Sequence, residues 1–212
     1  STQNPALAWL SVLRAPISGA LRSGVDADGM LTPLNATLQI GAGAVQPTEA
    51  AKPIPFSSVR TYFTYHPDTQ IIDFDELSVV SKWITASTDG QAFLSGLENG
   101  VLEELVGQFK LPAFAVNPND VYEKPINFDG AEMDFQLKLD PFNLKVGRAQ
   151  LVDQGQILKI YGELAADKTG WDFSANGQMD GLNPDRLLAL WPDNVGIPTR
   201  RWIFKNLLAG EL

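Results

Sequence analysis

A stretch of ten residues occurs twice in this chain, as LQIGAGAVQP at positions 38–47 and as FKLPAFAVNP at positions 109–118. A second pair of matching segments follows, KPIPF at 52–56 and KPINF at 124–128, with an offset of 72 residues (124 − 52). The residues shared by the ten-residue stretches are Ala42, Ala44, Val45 and Pro47, which recur as Ala113, Ala115, Val116 and Pro118. A repeat this long predicts one supersecondary unit stacked on its twin, because each unit needs a neighbour to bury its apolar face.

Both copies also end alike, in a Gly-Leu pair followed by leucines at helical spacing. The first ending is Gly96-Leu97 with Leu102 and Leu105, and the second is Gly181-Leu182 with Leu187 and Leu190, at an offset of 85 residues (181 − 96). We therefore expect a short helix after the strands of each copy, the first of them over residues 97–108. The predicted repeat units cover approximately residues 34–107 and 108–192, and residues 193–212 form a terminal helix.

Within each copy, apolar residues alternate with polar ones, as they do in strands that bury one face. The alternation covers residues 34–40 and 59–65 in the first copy and is more regular in the second, at 132–140 and 171–180. Alternation of this kind is typical of antiparallel strands that are dry on one side and wet on the other. The sequence predicts an α+β fold, mostly β, whose two units form a curved one-sided sheet or groove.

Spacing and turn residues predict the remaining local structure of the first half. Apolar residues three or four positions apart predict a helix over residues 5–21 that Pro16 kinks or ends, and they are Leu7, Leu10, Leu13, Ile17 and Leu21. Residues 28–29 and 66–68 have the composition of tight turns, and Asp-Gly at 89–90 predicts a β-hairpin.

Two helices are predicted near the C-terminal end. Asn-Pro-Asp at 183–185 supplies an N-cap acceptor, a proline at the first helical position and a carboxylate at the positive end of the helix. The second helix is predicted from Pro198 to about Leu208, with Gly210 as its C-terminal cap.

The composition excludes several classes of function. The chain has 212 residues, of which 44% are hydrophobic, and a net charge of −9, which argues against a nucleic-acid partner because phosphate binding needs basic patches. It has no cysteine, so disulfides, thiolate nucleophiles and thiolate metal sites are excluded. No apolar run reaches the length of about 18 residues that a membrane helix needs. We expect the chain to be a piece excised from a longer protein.

Candidate catalytic and metal-ligating residues are few. The only histidine, His66, lies in a predicted turn, and the chain has no G-x-S-x-G elbow of the kind that carries a serine nucleophile. Asp73, Asp75 and Glu76 form the densest acidic cluster, but they lack the glycine and distal glutamate of a calcium-binding loop. A solvated strand face explains them better. We predict a protein that is not an enzyme and has no metal and no cofactor.

The segment from residue 190 to 210 resembles a family signature of the form W-P…P-x-[TA]-R-x-W…N…G. Its residues are Trp191, Pro192, Pro198, Thr199, Arg200, Trp202, Asn206 and Gly210. The pattern is similar to that of the AsmA-like superfamily, in its YhdP-type branch. Repeated one-sided strands are similar to that superfamily as well.

The resemblance implies a bacterial envelope protein that lies mostly in the periplasm. An N-terminal helix outside this chain would anchor it in the inner membrane. Neighbouring repeats of the same polypeptide would build a long curved sheet whose apolar inner face carries phospholipids toward the outer membrane. No catalytic residues belong to the family pattern.

The apolar strand face of the second copy leaves two interpretations open. Its residues are Met133, Phe135, Leu137, Leu139, Ile160, Trp171 and Phe173. They could contact acyl chains, or they could pack on helices as an ordinary core, since one-sided strands normally bury against helices. The alternative function is a structural or interaction scaffold in envelope biogenesis that holds no lipid in this segment.

The C-terminal segment contains a small basic patch and two tryptophans. Arg200, Arg201 and Lys205 could meet lipid headgroups, or they could complement the dipole of the predicted helix and face solvent. Trp191 and Trp202 are predicted to pack the last two helices against one end of the sheet.

Overall fold

The computed structural model describes residues 5–96, 102–117, 122–179, 184–191 and 196–205, and within them the chain is mostly β. The strands are β1 (Leu13–Arg14), β2 (Ile17–Arg22), β3 (Leu34–Ile40), β4 (Gly43–Val45), β5 (Ile54–Phe56), β6 (Ser58–His66), β7 (Ile71–Val80), β8 (Ile84–Ser95), β9 (Glu104–Leu111), β10 (Phe114–Val116), β11 (Ile126–Phe128), β12 (Gly130–Leu139), β13 (Phe142–Asp153), β14 (Gln156–Asp167) and β15 (Gly170–Met179). The helices are an N-terminal 3-10 helix (Pro5–Val12), α1 (Pro184–Leu190) and α2 (Ile197–Ile203).

Twelve of these strands form one large antiparallel sheet. Ten lie side by side in the order β15-β14-β13-β12-β9-β8-β7-β6-β3-β2, and β10 pairs with the first residues of β8 and with β11. The other three strands, β1, β4 and β5, form a small sheet. Most neighbours in the large sheet are also close in sequence, as short connections between antiparallel strands require.

One face of the large sheet, called the inner face below, carries the alternating apolar side chains. A row of phenylalanines crosses its centre, with ring-centroid distances of 5.7 Å between Phe63 and Phe74, 5.5 Å between Phe74 and Phe109, and 4.9 Å between Phe109 and Phe135. Aromatic pairs at these separations add to the free energy of burial. The row joins β6, β7, β9 and β12, so strands from both halves of the chain share one core.

The N-terminal 3-10 helix lies on the inner face. Ala6 is fully buried, and the Trp9 ring meets the Phe74 ring edge-on with 6.4 Å between centroids. Leu7, Ala8 and Leu10 pack against the same cluster. The chain therefore covers the centre of its inner face with its own apolar segment.

The connection between β4 and β5, residues 46–53, reaches strands at the other end of the sheet. Thr48 donates its hydroxyl to the carbonyl oxygen of Asp167 at 3.1 Å, and Trp171 donates its indole N–H to the carbonyl oxygen of Lys52 at 2.6 Å. Yet β5 leads directly into β6, six positions from β14 in the sheet order. The large sheet therefore bends across its inner face. A second buried cluster lies where this connection contacts the sheet, and its residues are Val12, Ala51, Phe142 and Ala166.

A buried ion pair fixes helix α1 to the sheet. Arg186 donates from Nε and Nη2 to the two carboxylate oxygens of Asp153, both at 2.7 Å. The Asp153 side chain is only 1% exposed. These hydrogen bonds raise the pKa of Arg186 above its ordinary value. Arg186 also donates to the carbonyl oxygen of Asn127, so the first turn of α1 is held against β11 and the end of β13.

The strand predictions are confirmed. The alternating segments of the first copy are β3 and β6, and those of the second copy are β12 and β15. The chain turns as predicted near residues 28 and 67. The two C-terminal helices are α1 and α2, whereas the predicted caps at Asn183 and Gly210 lie outside the described residues.

The helix predicted over residues 97–108 is wrong in its second part, because residues 104–111 form strand β9. Residues 97–101 lie outside the described residues. Leu105 is 3% exposed on the inner face, and its neighbour Val106 is 42% exposed on the other face. Hydrogen bonding to β8 and β12 decides the conformation of this segment against its helical spacing. Leu105 and Leu190, which the repeat predicts as equivalent, are therefore not equivalent. Leu105 lies in a strand and Leu190 in a helix. The division near residue 107, which β9 crosses, stays a prediction.

Two further local predictions are wrong. Asp-Gly at residues 89–90 lies inside the continuous strand β8, where Gly90 pairs with Phe74 on one side and Phe109 on the other, and forms no hairpin. The N-terminal helix ends at Val12 instead of continuing to residue 21. Pro16 separates β1 from β2, because proline has no N–H with which to continue a sheet.

Candidate apolar binding face

The β12 residues predicted to contact acyl chains lie inside the core. Phe135 is 8% exposed and stacks on Phe109. Met133, Leu137 and Leu139 are half-buried and pack against the cluster that the N-terminal helix covers. Side chains of the chain itself therefore cover this part of the inner face.

The β14 and β15 residues of the predicted set lie nearer the edge of the sheet. Trp171 packs edge-on against Phe142 at 5.6 Å between ring centroids. Ile160 is half-buried. Phe173 is 70% exposed, although its register opposite Leu164 places it on the inner face. The apolar face is therefore most accessible at β15.

A cavity of about 680 Å³ opens where the second buried cluster meets solvent. Val12, Leu139, Phe142 and Ala166 supply apolar side chains to its wall. The polar lining residues include Thr48, Glu49, Asp140, Asp167 and Lys168. An apolar wall with a polar rim fits an amphipathic molecule, although three carboxylates against one lysine would repel an anionic headgroup.

The turn between β14 and β15 forms part of that rim. The hydroxyl and the backbone N–H of Thr169 both donate to Asp167 Oδ1 at 2.7 Å. The hydroxyl hydrogen bond and then the N–H hydrogen bond lower the pKa of Asp167 below its ordinary value. Asp167 thus stays ionised to a lower pH than a free aspartate, which keeps the rim acidic.

The signature residues that the structure describes lie on or between the two C-terminal helices. Arg200 donates Nε to the carbonyl oxygen of Trp191 at 3.3 Å and lies 3.5 Å from that of Leu188, so it ties α2 to the carbonyl end of α1. Pro198 and Thr199 are exposed in the first turn of α2. Pro192, Asn206 and Gly210 lie outside the described residues.

The two tryptophans of the signature differ. Trp191 is half-buried, and its ring lies next to Gly196. A Cβ added at Gly196 would be 3.3 Å from a carbon of that ring. The prediction that Trp202 packs against the sheet is wrong, because its side chain is 60% exposed on α2. Arg201 and Lys205 are also exposed on this segment.

Among the candidate catalytic and metal-ligating residues, Asp75 is exposed, whereas His66, Asp73 and Glu76 contact side chains on neighbouring strands. His66 Nε2 lies 3.0 Å from Asp73 Oδ2, and Gln91 donates to the other oxygen of that carboxylate at 2.5 Å. Glu76 accepts hydrogen bonds from Ser78 and Arg60, which lower its pKa. Among the described residues, no group of three His, Cys, Asp or Glu side chains is placed to hold a metal ion.

Sequence reasoning missed the segment that covers the inner face. Residues 5–12 were predicted as part of a helix, but nothing in their spacing shows which surface they contact. Trp9 Nε1 and Thr61 Oγ1 are buried and have no hydrogen-bond partner in the part of the chain that the structure describes. Buried polar atoms of this kind destabilise a fold by about 1–3 kcal/mol each.

None of the described helices has the length and hydropathy needed to cross a bilayer. A scan against protein-family models, a search of curated proteins and a search of solved structures each found no match to this chain.

Proposed function

We propose that this chain is a non-catalytic segment of an AsmA-like, YhdP-type envelope protein that holds phospholipid acyl chains in the periplasm. The observation that carries the proposal is the inner face itself, an apolar surface shared by ten antiparallel strands. The inner face is accessible at the edge strand β15, where Phe173 is 70% exposed. The large bent sheet and the resemblance of the C-terminal segment to the family signature support the same function. In the full-length protein, a segment outside this chain would supply the inner-membrane anchor.

The energetics favour acyl chains as the ligand. Each CH₂ group moved from water to an apolar surface contributes about 0.8 kcal/mol, so a few contacts suffice for binding without directional bonds. The described chain offers acyl groups the exposed inner side of β15 and the cavity beside Phe142. The centre of the inner face is filled by the N-terminal helix, which leaves the edges of the sheet for lipid contact. Phe173 on β15 is more exposed than Ile17 and Leu21 on β2, the other edge strand.

Mass spectrometry under native conditions tests the proposal. Delipidated protein is mixed with phospholipid vesicles, re-isolated and weighed with its bound lipid. Phe173→Asp is expected to lower phospholipid retention by about tenfold, because one large apolar contact is worth about 1.5–3 kcal/mol. Ser174→Asp is the matched control, since it places the same charge on the opposite face of the same strand. Absence of lipid from the unmodified chain, or equal retention by both variants, would refute the proposal.

A structural scaffold without lipid is the second candidate. It is favoured by the packing of the β12 residues, which the chain itself already covers through its N-terminal helix. A photo-crosslinking amino acid at position 173 separates the two functions. Adducts with the mass of a phospholipid support lipid holding, and adducts with the mass of a protein support the scaffold.

A further inference from the structure

Three glycines occupy corresponding positions in three different strand pairs. Gly19 of β2 pairs with Leu38, Gly90 of β8 pairs with Phe109, and Gly162 of β14 pairs with Ala175. In each pair, a Cβ on the glycine would approach the carbonyl oxygen of the residue just before the partner, at 2.2 Å, 2.0 Å and 3.1 Å respectively. Gly107 of β9 makes the same approach to the carbonyl oxygen of Gln91, at 2.1 Å, from the second strand of its pair. In the first strand of each pair the approach recurs at 71 and then 72 residues (90 − 19 and 162 − 90).

The loops beside these strands also correspond. Gln46 donates its side-chain amide to the carbonyl oxygen of Ala51, and Asn117 donates its amide to that of Tyr122, each five residues ahead. The backbone N–H groups of Gln46 and Asn117 likewise donate to residues in corresponding places, Val12 and Trp83. These matches align β3 with β9, and the glycine register aligns β15 with both.

The three aligned strands differ in their second neighbour. β3 lies between β2 and β6, and β9 lies between β8 and β12. In the described ranges β15 pairs with β14 alone. β14 lies on the edge of β15 that corresponds to the edges of β3 and β9 that pair with β2 and β8. The opposite edge of β15 corresponds to the edge that receives β6 in the first case and β12 in the second.

We infer that the free edge of β15 is a binding site for one further antiparallel protein strand with the pattern of β6 and β12. Such a strand is about ten residues long and carries apolar residues at every second position. Its inner-face residues would lie opposite Trp171, Phe173 and Ala175, as Leu137, Phe135 and Met133 lie opposite Leu105, Gly107 and Phe109. This inference does not rest on lipid binding.

The composition of β15 supports an edge that accepts a partner. Protected edge strands carry lysine, proline or inward-pointing charges, which prevent another strand from pairing. β15 has no lysine, arginine or proline, and its one charged residue is Asp172. Its inner-face residues Phe173 and Ala175 are exposed. The other edge strand, β2, follows Pro16 and ends at Arg22, so the two edges differ in their protection.

Hydrogen–deuterium exchange on the full chain tests this inference. The probe is a synthetic peptide with the sequence of residues 130–139, offered at millimolar concentration, with a scrambled peptide as the reference. Added strands bind through main-chain hydrogen bonds, so exchange at residues 170–179 is expected to slow by about tenfold while exchange at 17–22 stays unchanged.

Two variants make the test specific. Ala175→Lys places a charge on the inner face in the middle of β15 and is expected to abolish the protection. Ser174→Lys places the same charge on the opposite face and is expected to keep it. Both positions are exposed, so both variants should retain the far-ultraviolet circular dichroism of the parent chain.

Three results would overturn the inference. The first is unchanged exchange at 170–179 with the peptide present, and the second is equal behaviour of the two variants. The third is slowing that depends on protein concentration without peptide, which would assign the edge to a second copy of this chain.

Discussion

Asp153 shows how a single side chain can organise one end of the fold. It is 1% exposed, and a carboxylate so buried is stable only when its charge is paired and its oxygens are hydrogen-bonded. Arg186 meets both needs with two hydrogen bonds of 2.7 Å. Because Arg186 lies on α1 and Asp153 on β13, the pair fixes the first turn of α1 to the sheet.

Arg186→Met should therefore lower the free energy of unfolding by about 3–5 kcal/mol, because it leaves a buried carboxylate unpaired. Urea unfolding followed by circular dichroism measures the change. The double variant Arg186→Met with Asp153→Leu removes both charges and should recover much of the loss. Equal losses in the single and double variants would show that the pair contributes through packing and not through charge.

The roles of individual residues could be predicted only where the chemistry is local. The sequence identified Arg200 as part of a basic patch and correctly placed it on a helix. Its contact with the carbonyl oxygens of Trp191 and Leu188 depends on how α2 lies against α1, which no spacing in the sequence reports. The burial of Asp153 could not be predicted, because an aspartate at the end of a strand usually faces solvent.

At the scale of the element, Gly90 lets β8 run as one strand between two neighbours. A Cβ at this position would lie 2.0 Å from the carbonyl oxygen of Gln108 and 2.7 Å from the Phe109 ring. The absence of a side chain therefore lets β8 and β9 approach closely enough to pair.

Gly90→Ala should consequently destabilise the fold by about 1–3 kcal/mol, the usual range for overpacking, and loosen the pairing of β8 with β9. Thermal unfolding measures the first effect, and amide exchange over residues 104–111 measures the second. Gly147→Ala is the matched control, because a Cβ there has nothing within 4 Å. A loss of equal size in the control would exclude the close approach as the cause.

Strands with regular alternation could be predicted, and β9 could not. β12 alternates Met133, Phe135, Leu137 and Leu139 with polar residues, and this period fits a half-buried strand alone. Around β9 the apolar residues Leu102, Leu105, Val106 and Phe109 fit a helix face equally well. Pairing with β8 and β12 decides between the two, and those partners are set by the whole sheet.

At the scale of the whole molecule, the large sheet buries its inner face partly with the chain's own first residues. Ala6 is fully buried against a cluster that includes Leu34, Tyr65 and Leu105. The segment is a 3-10 helix eight residues long, a conformation with poorer hydrogen-bond geometry than the α-helix. It is therefore held by apolar contact with the sheet more than by its own hydrogen bonds.

A chain that lacks residues 1–12 should be measurably less stable and should bind more of an apolar dye, because the phenylalanine row becomes exposed. Chemical unfolding and 8-anilinonaphthalene-1-sulfonate fluorescence measure the two effects. Trp9→Ala should give a smaller change in the same direction, since it removes one contact to Phe74. Unchanged stability of the shortened chain would mean that the inner face does not need this cover.

The sequence by itself determined the fold class and the inner face, because alternation of apolar and polar residues has meaning in a strand without knowledge of its partners. Tertiary structure alone decided what covers that face and which strands lie at the edges of the described sheet. Thr48 meets Asp167 and Lys52 meets Trp171 across 119 residues, and such pairs depend on the bend of the assembled sheet. Local spacing cannot encode a contact whose distance is set by every strand between the two partners.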